Sequence, residues 1–335
     1  MTSVALRRRL EAARRTGPVL LVASTGGHLE ELVRLRGRLG AAAEHCEWAT
    51  FDDDQSRSLL EGERVHHVGY IGPRGYRAAV RGTLTAVDIL RAGGYSAVVS
   101  TGSGIALPFF GAARAMGLPC HYIESAARAE GPSVTGRALS RFPGVHLYSQ
   151  YPERSSGKWG YSGSLFDGFE RSGAPAVTKA PSRVVVTLGT MRTYGFRRAV
   201  ERLDALLPQV CAPDVEVLWQ TGSTDVSDLG IDGRGLVPAR ELREAVAEAD
   251  LVVAHAGVGS SLVALDAGRV PVLLPRRSVR GEHVDDHQVL ISRHLDERGI
   301  AIGRDVDELT VEDLLAAAGG SVRASAEPRP FLLRA

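Results

Sequence analysis

The sequence is poor in cysteine, with three in 335 residues, Cys46, Cys120 and Cys211, odd in number and far apart. Such a set builds neither a disulfide framework nor a zinc knuckle, and it suits a reducing cytosolic compartment. Net charge is nearly absent too, since 40 Lys+Arg against 39 Asp+Glu leave +1. No global field therefore draws nucleic acid or repels an anionic substrate, and no nucleic-acid partner is expected. No apolar run approaches the ~20 residues that a membrane-spanning helix needs. Arg7, Arg8, Arg9, Arg14 and Arg15 precede Pro18 without a long apolar stretch or a cleavage site. This start reads as a short basic helix with a solvated face, contact with anionic lipid being the alternative.

Glycine, by contrast, is abundant at 38 residues. The length suits two domains of roughly 150 residues each. Hydrophobic residues at 44% and charged residues at 24% are globular values that exclude a disordered chain.

From Pro18 onward, short apolar runs alternate with helical patterns, the signature of a parallel α/β architecture. PVLLVA (18–23), CEWATF, VHHVGY, SAVVS (96–100), CHYIES and VHLYS (145–149) read as strands, with helices between them. Gly40 is the expected stop for the helix HLEELVRLRGRL. Residues 170–182, ERSGAPAVTKAPS, read as a linker. Beyond it the alternation restarts with RVVVTLG (183–189), VEVLWQTG (215–222), LVVAHAG (251–257) and VPVLLP (270–275). The expected architecture is two doubly wound domains, 1–169 and 183–335, facing a central cleft with ligand at the carboxyl ends of the strands. The final segment SAEPRPFLLRA shows no pattern that places it.

Four glycine loops join strand to helix: Ser24-Thr25-Gly26-Gly27-His28, Ser100-Thr101-Gly102-Ser103-Gly104, Thr187-Leu188-Gly189-Thr190, and His255-Ala256-Gly257-Val258-Gly259-Ser260-Ser261. In each, glycine permits close backbone approach and the helix start offers unpaired N–H groups to a phosphate. A dinucleotide site fits less well. The third small residue of its fingerprint is replaced by Leu262, and Arg276-Arg277 stand where an acidic ribose partner belongs.

The motifs LVASTGGHLEELVRL, VVSTGSGIALPFF, YIESAAR and GPSVTGR resemble the acceptor-side subunits of the dolichol-pathway N-acetylglucosaminyltransferase and of bacterial two-subunit exopolysaccharide glycosyltransferases. VVVTLGT, VLWQTG, AHAGVGSSLVALDAG, VLLPRR and GEHVDDHQ resemble the donor-side subunits, here joined in one chain. Both halves are also similar to the glycosyltransferase that completes lipid II. The resemblance spans about residues 18–320. It implies a GT-B fold of two Rossmann-like domains and metal-independent, inverting transfer from a UDP-sugar to a polyprenyl-diphosphate-linked saccharide. No cofactor besides the UDP-sugar is implied.

Such transfer needs a base for the acceptor hydroxyl and positive groups for the departing diphosphate. His28 is the expected base, with Glu124 as the alternative base or an acceptor contact. Glu30 and Glu31 read as a solvated helix face. Gly26, Gly27, Gly102, Ser103, Gly104 and Ser125 form the expected acceptor side. On the donor side, Gly257, Gly259, Ser260 and Ser261 would hold the phosphates, Thr190 would approach from the facing loop, and Thr221 and Gly222 would lie near the uridine. His255 is either a packing histidine or part of this site. By position, His287 and Gln288 match residues that reach donor-sugar hydroxyls. The glutamate that binds ribose in many relatives falls at Val263, so Asp266, one turn on, is its expected substitute.

His283, Asp285, Asp286 and His287 include metal-ligand types but match no zinc spacing, so no metal site is expected. Asp285 with Gln288 instead reads as a helix capping box, in competition with sugar binding by Gln288. Arg276, Arg277 and Arg280 would suit an acidic sugar. Leu107, Phe109 and Phe110 beside Arg74, Arg77 and Arg81 form an expected membrane-docking face, the alternative being core phenylalanines and solvated arginines. The expected protein is a cytosolic, membrane-peripheral enzyme. A UDP-sugar epimerase and a non-catalytic binding module are the rivals.

Overall fold

The computed structural model describes residues 17–40, 45–70, 76–173 and 180–334, with the backbone alone for 76–80. The chain divides into two compact units, Met1–Leu165 with Arg329–Ala335, and Phe166–Pro328.

In the first unit β1 (Val19–Ala23), β2 (Cys46–Phe51), β3 (Val65–Val68), β4 (Ala97–Gly102), β5 (Cys120–Ile123), β6 (Val145–Ser149) and β7 (Trp159–Tyr161) form one parallel sheet in the order β3-β2-β1-β4-β5-β6-β7. All five residues of β1 are buried, as a continuous apolar run requires when helices cover both sheet faces. The helices are α1 (Gly27–Arg36), α2 (Asp54–Leu59), α3 (Tyr76–Gly93), α4 (Ala106–Ala115) and α5 (Val134–Leu139). α1 ends earlier than its pattern suggests, and Gly40 takes its left-handed conformation, φ +76°, beyond the helix end. Phe109 and Phe110 are core residues, 1% and 0% exposed, which removes them from the expected docking face. Arg7, Arg8, Arg9, Arg14, Arg15 and Arg74, and the side chain of Arg77, lie outside the described residues.

The second unit holds the parallel sheet β11-β10-β9-β12-β13-β14, made by β9 (Arg183–Thr187), β10 (Glu216–Gln220), β11 (Gly233–Arg234), β12 (Leu251–His255), β13 (Val272–Leu274) and β14 (Ile302–Gly303). Its helices are α6 (Arg197–Val210), α7 (Ala239–Glu248), α8 (Val258–Asp266), α9 (His287–Glu297) and α10 (Val311–Ala318). The stretch expected as linker is partly ordered: β8 (Phe169–Ser172) pairs antiparallel with β15 (Ser321–Ala324), while 174–179 lie outside the described residues. The patternless terminus returns to the first unit. Phe331 is buried, its N–H donates to the Arg38 carbonyl at 2.7 Å, and its ring packs edge-on against Tyr148.

Candidate active site

In the first sheet the winding reverses between β1 and β4, and the loops leaving these two strands carry the N-termini of α1 and α4. Such a switch point is where open α/β sheets bind ligand. Gly26 caps α1 without a side-chain bond, and both its N–H and its carbonyl meet the Gln55 side chain. Gly27 is the first helical residue, followed by half-buried His28. The Nδ1 of His28 lies 2.9 Å from the Thr101 carbonyl. A carbonyl only accepts, so Nδ1 carries the proton and Nε2 keeps its lone pair. Burial, with Arg128 nearby, lowers the pKa of His28 from its ordinary 6.5 against the opposing Thr101 bond. The imidazole is thus neutral with Nε2 as acceptor, the state a general base requires.

Gly102 makes room for this ring. At φ +120°, a Cβ there would lie 3.3 Å from His28 Cε1 and 3.0 Å from the Tyr122 hydroxyl. Ser103 follows at φ +68°, the one non-glycine with positive φ among the described residues, a local strain of the kind found at functional sites. Gly104 leads into the start of α4, its carbonyl accepting from the N–H of Leu107.

Glu124 is buried and raised in pKa, chiefly by that burial. Its Oε2 accepts from the N–H and hydroxyl of Ser133, at 2.9 and 3.2 Å, and its Oε1 accepts from Tyr122 at 3.2 Å. Ser133 in turn caps α5. Both oxygens of Glu124 are engaged within the unit, whereas Nε2 of His28 has no partner among the described residues. The solvated reading holds for Glu30, which pairs with Arg34 at 3.2 Å, and fails for Glu31. Glu31 is on the inward face of α1 with Leu32 and Leu35 and is 4% exposed. It accepts from Ser125 Oγ at 2.7 Å, and from Ala126 N and Gln150 Nε2 at 3.1 Å. Burial outweighs these donors and pushes its pKa up to about 7. The hydroxyl of Ser125, expected on the acceptor side, is therefore committed to Glu31.

The second sheet reverses its winding between β9 and β12. Gly257 caps α8, leaving the first-turn amides of Val258, Gly259 and Ser260 without intrahelical partners. Ser261 is fully buried and closes that turn, both its N–H and its hydroxyl donating to the Gly257 carbonyl at 3.0 Å. The imidazole of His255 fills the space beside these amides. A Cβ at Gly189, which has φ +83°, would come within 2.8 Å of its Cε1, and one at Gly257 within 2.4 Å of its Nε2. Ser260 Oγ lies 3.3 Å from its Nδ1. Burial, then Arg276, lowers the His255 pKa to about 4, so the ring is a neutral spacer between the β9 loop and α8. Thr190 is exposed next to Gly189, and Gly222 packs so closely that its Cβ would sit 2.4 Å from the Gly189 carbonyl. Buried Thr221 is held by the Arg234 carbonyl at 2.9 Å.

Three expectations change here. The capping box does not form: Asp286 is the N-cap of α9, Asp285 Oδ1 instead accepts from Nδ1 of both His283 (3.0 Å) and His287, and Gln288 Oε1 accepts from the Arg276 N–H at 3.1 Å. Asp286 accepts from the N–H of Ser278 at 2.8 Å. The loop geometry brings His283, Asp285 and His287 together, with ligand atoms within 4.8 Å of one another. The arginines expected for an acidic sugar are committed internally: Arg276 to carbonyls, Arg277 to Asp305 at 2.8 Å, and Arg280 to Asp307 at 2.6 Å. Asp266 is the last residue of α8, about 12 Å along the axis from its first turn at 1.5 Å per residue, so the helix does not bring it to the open amides. Val263 packs against the apolar cluster of Val185 and Val246.

Two parallel α/β units with glycine loops at their switch points define the GT-B architecture, and this chain is a glycosyltransferase of that fold. Its residues 183–320 match the glycosyltransferase family 28 C-terminal domain. Over 295 residues it is 25% identical to the UDP-N-acetylglucosamine--N-acetylmuramyl-(pentapeptide) pyrophosphoryl-undecaprenol N-acetylglucosamine transferase of Prosthecochloris aestuarii (strain DSM 271 / SK 413), covering 77% of this chain and 78% of that protein. Among solved structures it is similar to Acinetobacter baumannii MurG, with 20% identity, a TM-score of 0.55 and 89% of each chain covered. It is also similar to the UDP-GlcNAc 2-epimerase of Neisseria meningitidis, with 11% identity, a TM-score of 0.53 and 89% of each chain covered. These two likenesses concern the fold, which transferase and epimerase share. The family 28 match carries the assignment to transfer.

Proposed function

We propose that the chain transfers a sugar, with inversion, from a UDP-sugar to a polyprenyl-diphosphate-linked saccharide at the cytoplasmic membrane surface. The observation that carries this reading is the open N-terminus of α8 beside the His255 spacer, inside the family 28 domain. Unpaired amides and the positive end of the helix dipole there suit a diphosphate. Gly257, Gly259 and Ser260 take the phosphates. Gln288 keeps its amide nitrogen for the donor sugar, since only its oxygen is used by Arg276. His28 removes the acceptor proton through Nε2. The acceptor diphosphate lies by Gly26, Gly102 and Gly104. No bound metal takes part, because amides and fixed charge neutralise the leaving group.

A panel of UDP-sugars, read first by thermal stabilisation and then by transfer to a lipid-linked saccharide, tests this. Deuterium uptake from solvent into UDP-sugar alone would favour an epimerase. UDP binding without turnover of any donor and acceptor pair would favour a binding module. Flotation with anionic liposomes at low and high salt tests membrane contact, which should weaken with salt.

A further inference from the structure

We propose that Arg276 is a positioning residue whose buried guanidinium is the counter-charge for the donor diphosphate. It acts by its charge from behind the loops it holds, without touching the ligand. The inference rests on the donor assignment above and names how that site balances its charge.

Arg276 is 2% exposed. Its Nη2 donates to the Leu188 carbonyl at 2.7 Å, and its Nη1 shares its hydrogens among the carbonyls of Tyr194 (2.9 Å), Gly195 (3.1 Å) and Glu282 (3.1 Å). The guanidinium carbon lies 4.9 Å from the centre of the Phe196 ring. Among the described residues no carboxylate oxygen accepts from it. The carboxylate of Glu282 attracts it, but that group is bonded to Arg198 at 3.1 and 3.2 Å and to the N–H of Arg277 at 2.9 Å.

Only carbonyls accept from the guanidinium, through Nη1 and Nη2, so its charge is only partly balanced, a costly condition in a protein interior. Where it sits explains what balances it. Leu188, which it holds, precedes Gly189, and Gly189 and Gly257 bracket the ring of His255. Gly257 caps α8. The His255 ring, on which the Arg276 charge acts, therefore stands beside the open amides. During transfer the bond from the anomeric carbon to the diphosphate oxygen breaks, and its electron pair leaves with UDP. The acceptor oxygen forms the new bond to that carbon, and its proton goes to His28. The charge that builds on UDP falls in the field of Arg276, in surroundings that screen it less than water does.

A purely structural clamp would predict equal losses for charged and uncharged ligands, which separates the two roles. Isothermal titration of the full chain with UDP and with uridine should show that Arg276→Met weakens UDP by about tenfold or more and uridine by less than about twofold. Arg276→Lys, which keeps the charge, should hold the ratio of the two affinities near that of the unmodified protein. Equal losses for both ligands in Arg276→Met, or a ratio in Arg276→Lys as low as in Arg276→Met, overturn the proposal. Should Arg276→Met not fold, the side-chain 15Nε resonance of Arg276, assigned by its absence in Arg276→Lys, decides. It should move with UDP and stay with uridine, and a resonance unmoved by UDP overturns the proposal. An unmodified protein that fails to bind UDP overturns the donor reading instead. Inorganic pyrophosphate then probes the counter-charge directly, and its failure to move the Arg276 resonance overturns that as well.

Discussion

His28 and Thr101 hold each other by two hydrogen bonds of opposite direction. The imidazole Nδ1 donates to the Thr101 carbonyl at 2.9 Å, and the Thr101 hydroxyl donates to the His28 carbonyl at 2.6 Å. The start of α1 is thereby tied to the end of β4 across the switch point. The same pair sets the tautomer, because Thr101 offers the ring only a carbonyl.

Removal of the base should separate chemistry from donor binding. His28→Ala should lower turnover by on the order of 10²–10⁴ with little change in UDP affinity. Since the His28 pKa is lowered from 6.5 and the proposed mechanism uses the neutral form, kcat should fall on the acid side of pH 6.5, and this limb should vanish in the variant. Single-turnover rates across pH check both. Near-normal turnover in His28→Ala would shift the role to Glu124 or to water.

Gly259→Val tests the phosphate loop. A Cβ at this position meets nothing within 4 Å, so the fold should persist, with helix propensity changing by only a few tenths of a kcal/mol to about 1 kcal/mol. The added bulk stands over the open amides, and UDP binding should disappear. Undiminished UDP affinity in the folded variant would remove the loop from the donor site.

Glu31 should make stability depend on pH. Its folded pKa of about 7 lies above the ordinary 4.5, so the folded state holds the proton more tightly and the associated stability is lost as pH rises from 4.5 through 7. The loss is on the order of 3 kcal/mol by 1.36 kcal/mol per pKa unit. Urea unfolding at pH 5 and pH 8 should show the unmodified protein losing this much relative to Glu31→Gln. Parallel behaviour of the two proteins would mean that Glu31 titrates as an ordinary carboxylate.

Chelation should leave transfer unchanged. The charge on the leaving UDP is met by amides and arginine in the proposed mechanism, so EDTA dialysis followed by rate measurement should give the original kcat. A loss restored by a divalent ion would instead direct attention to His283, Asp285 and His287, the one cluster of metal-ligand type among the described residues.

The strands, three of the four glycine loops and the position of His28 were legible in the sequence because local chemistry decides them, whereas the loop at Gly189 runs on to Phe196 before α6 begins. A five-residue apolar run such as VLLVA, set between Pro18 and a glycine loop, has the length and flanks of a buried strand, and a glycine loop that leads straight into a helix leaves first-turn amides open. The inward turn of Glu31 depended on donors brought from Ser125, Ala126 and Gln150, up to 119 positions away. Arg276 and Arg277 are neighbours in sequence, yet backbone direction after β13 sends the first among carbonyls of distant loops and the second to Asp305. The terminus around Phe331 carries no periodicity of its own, and its place was decided by the backbone of Arg38 and the ring of Tyr148. The sequence by itself determined which segments form the sheets and where glycine loops open the first turns of helices. Tertiary structure alone decided which polar groups were buried and spent on one another, because burial depends on partners that chain order does not record.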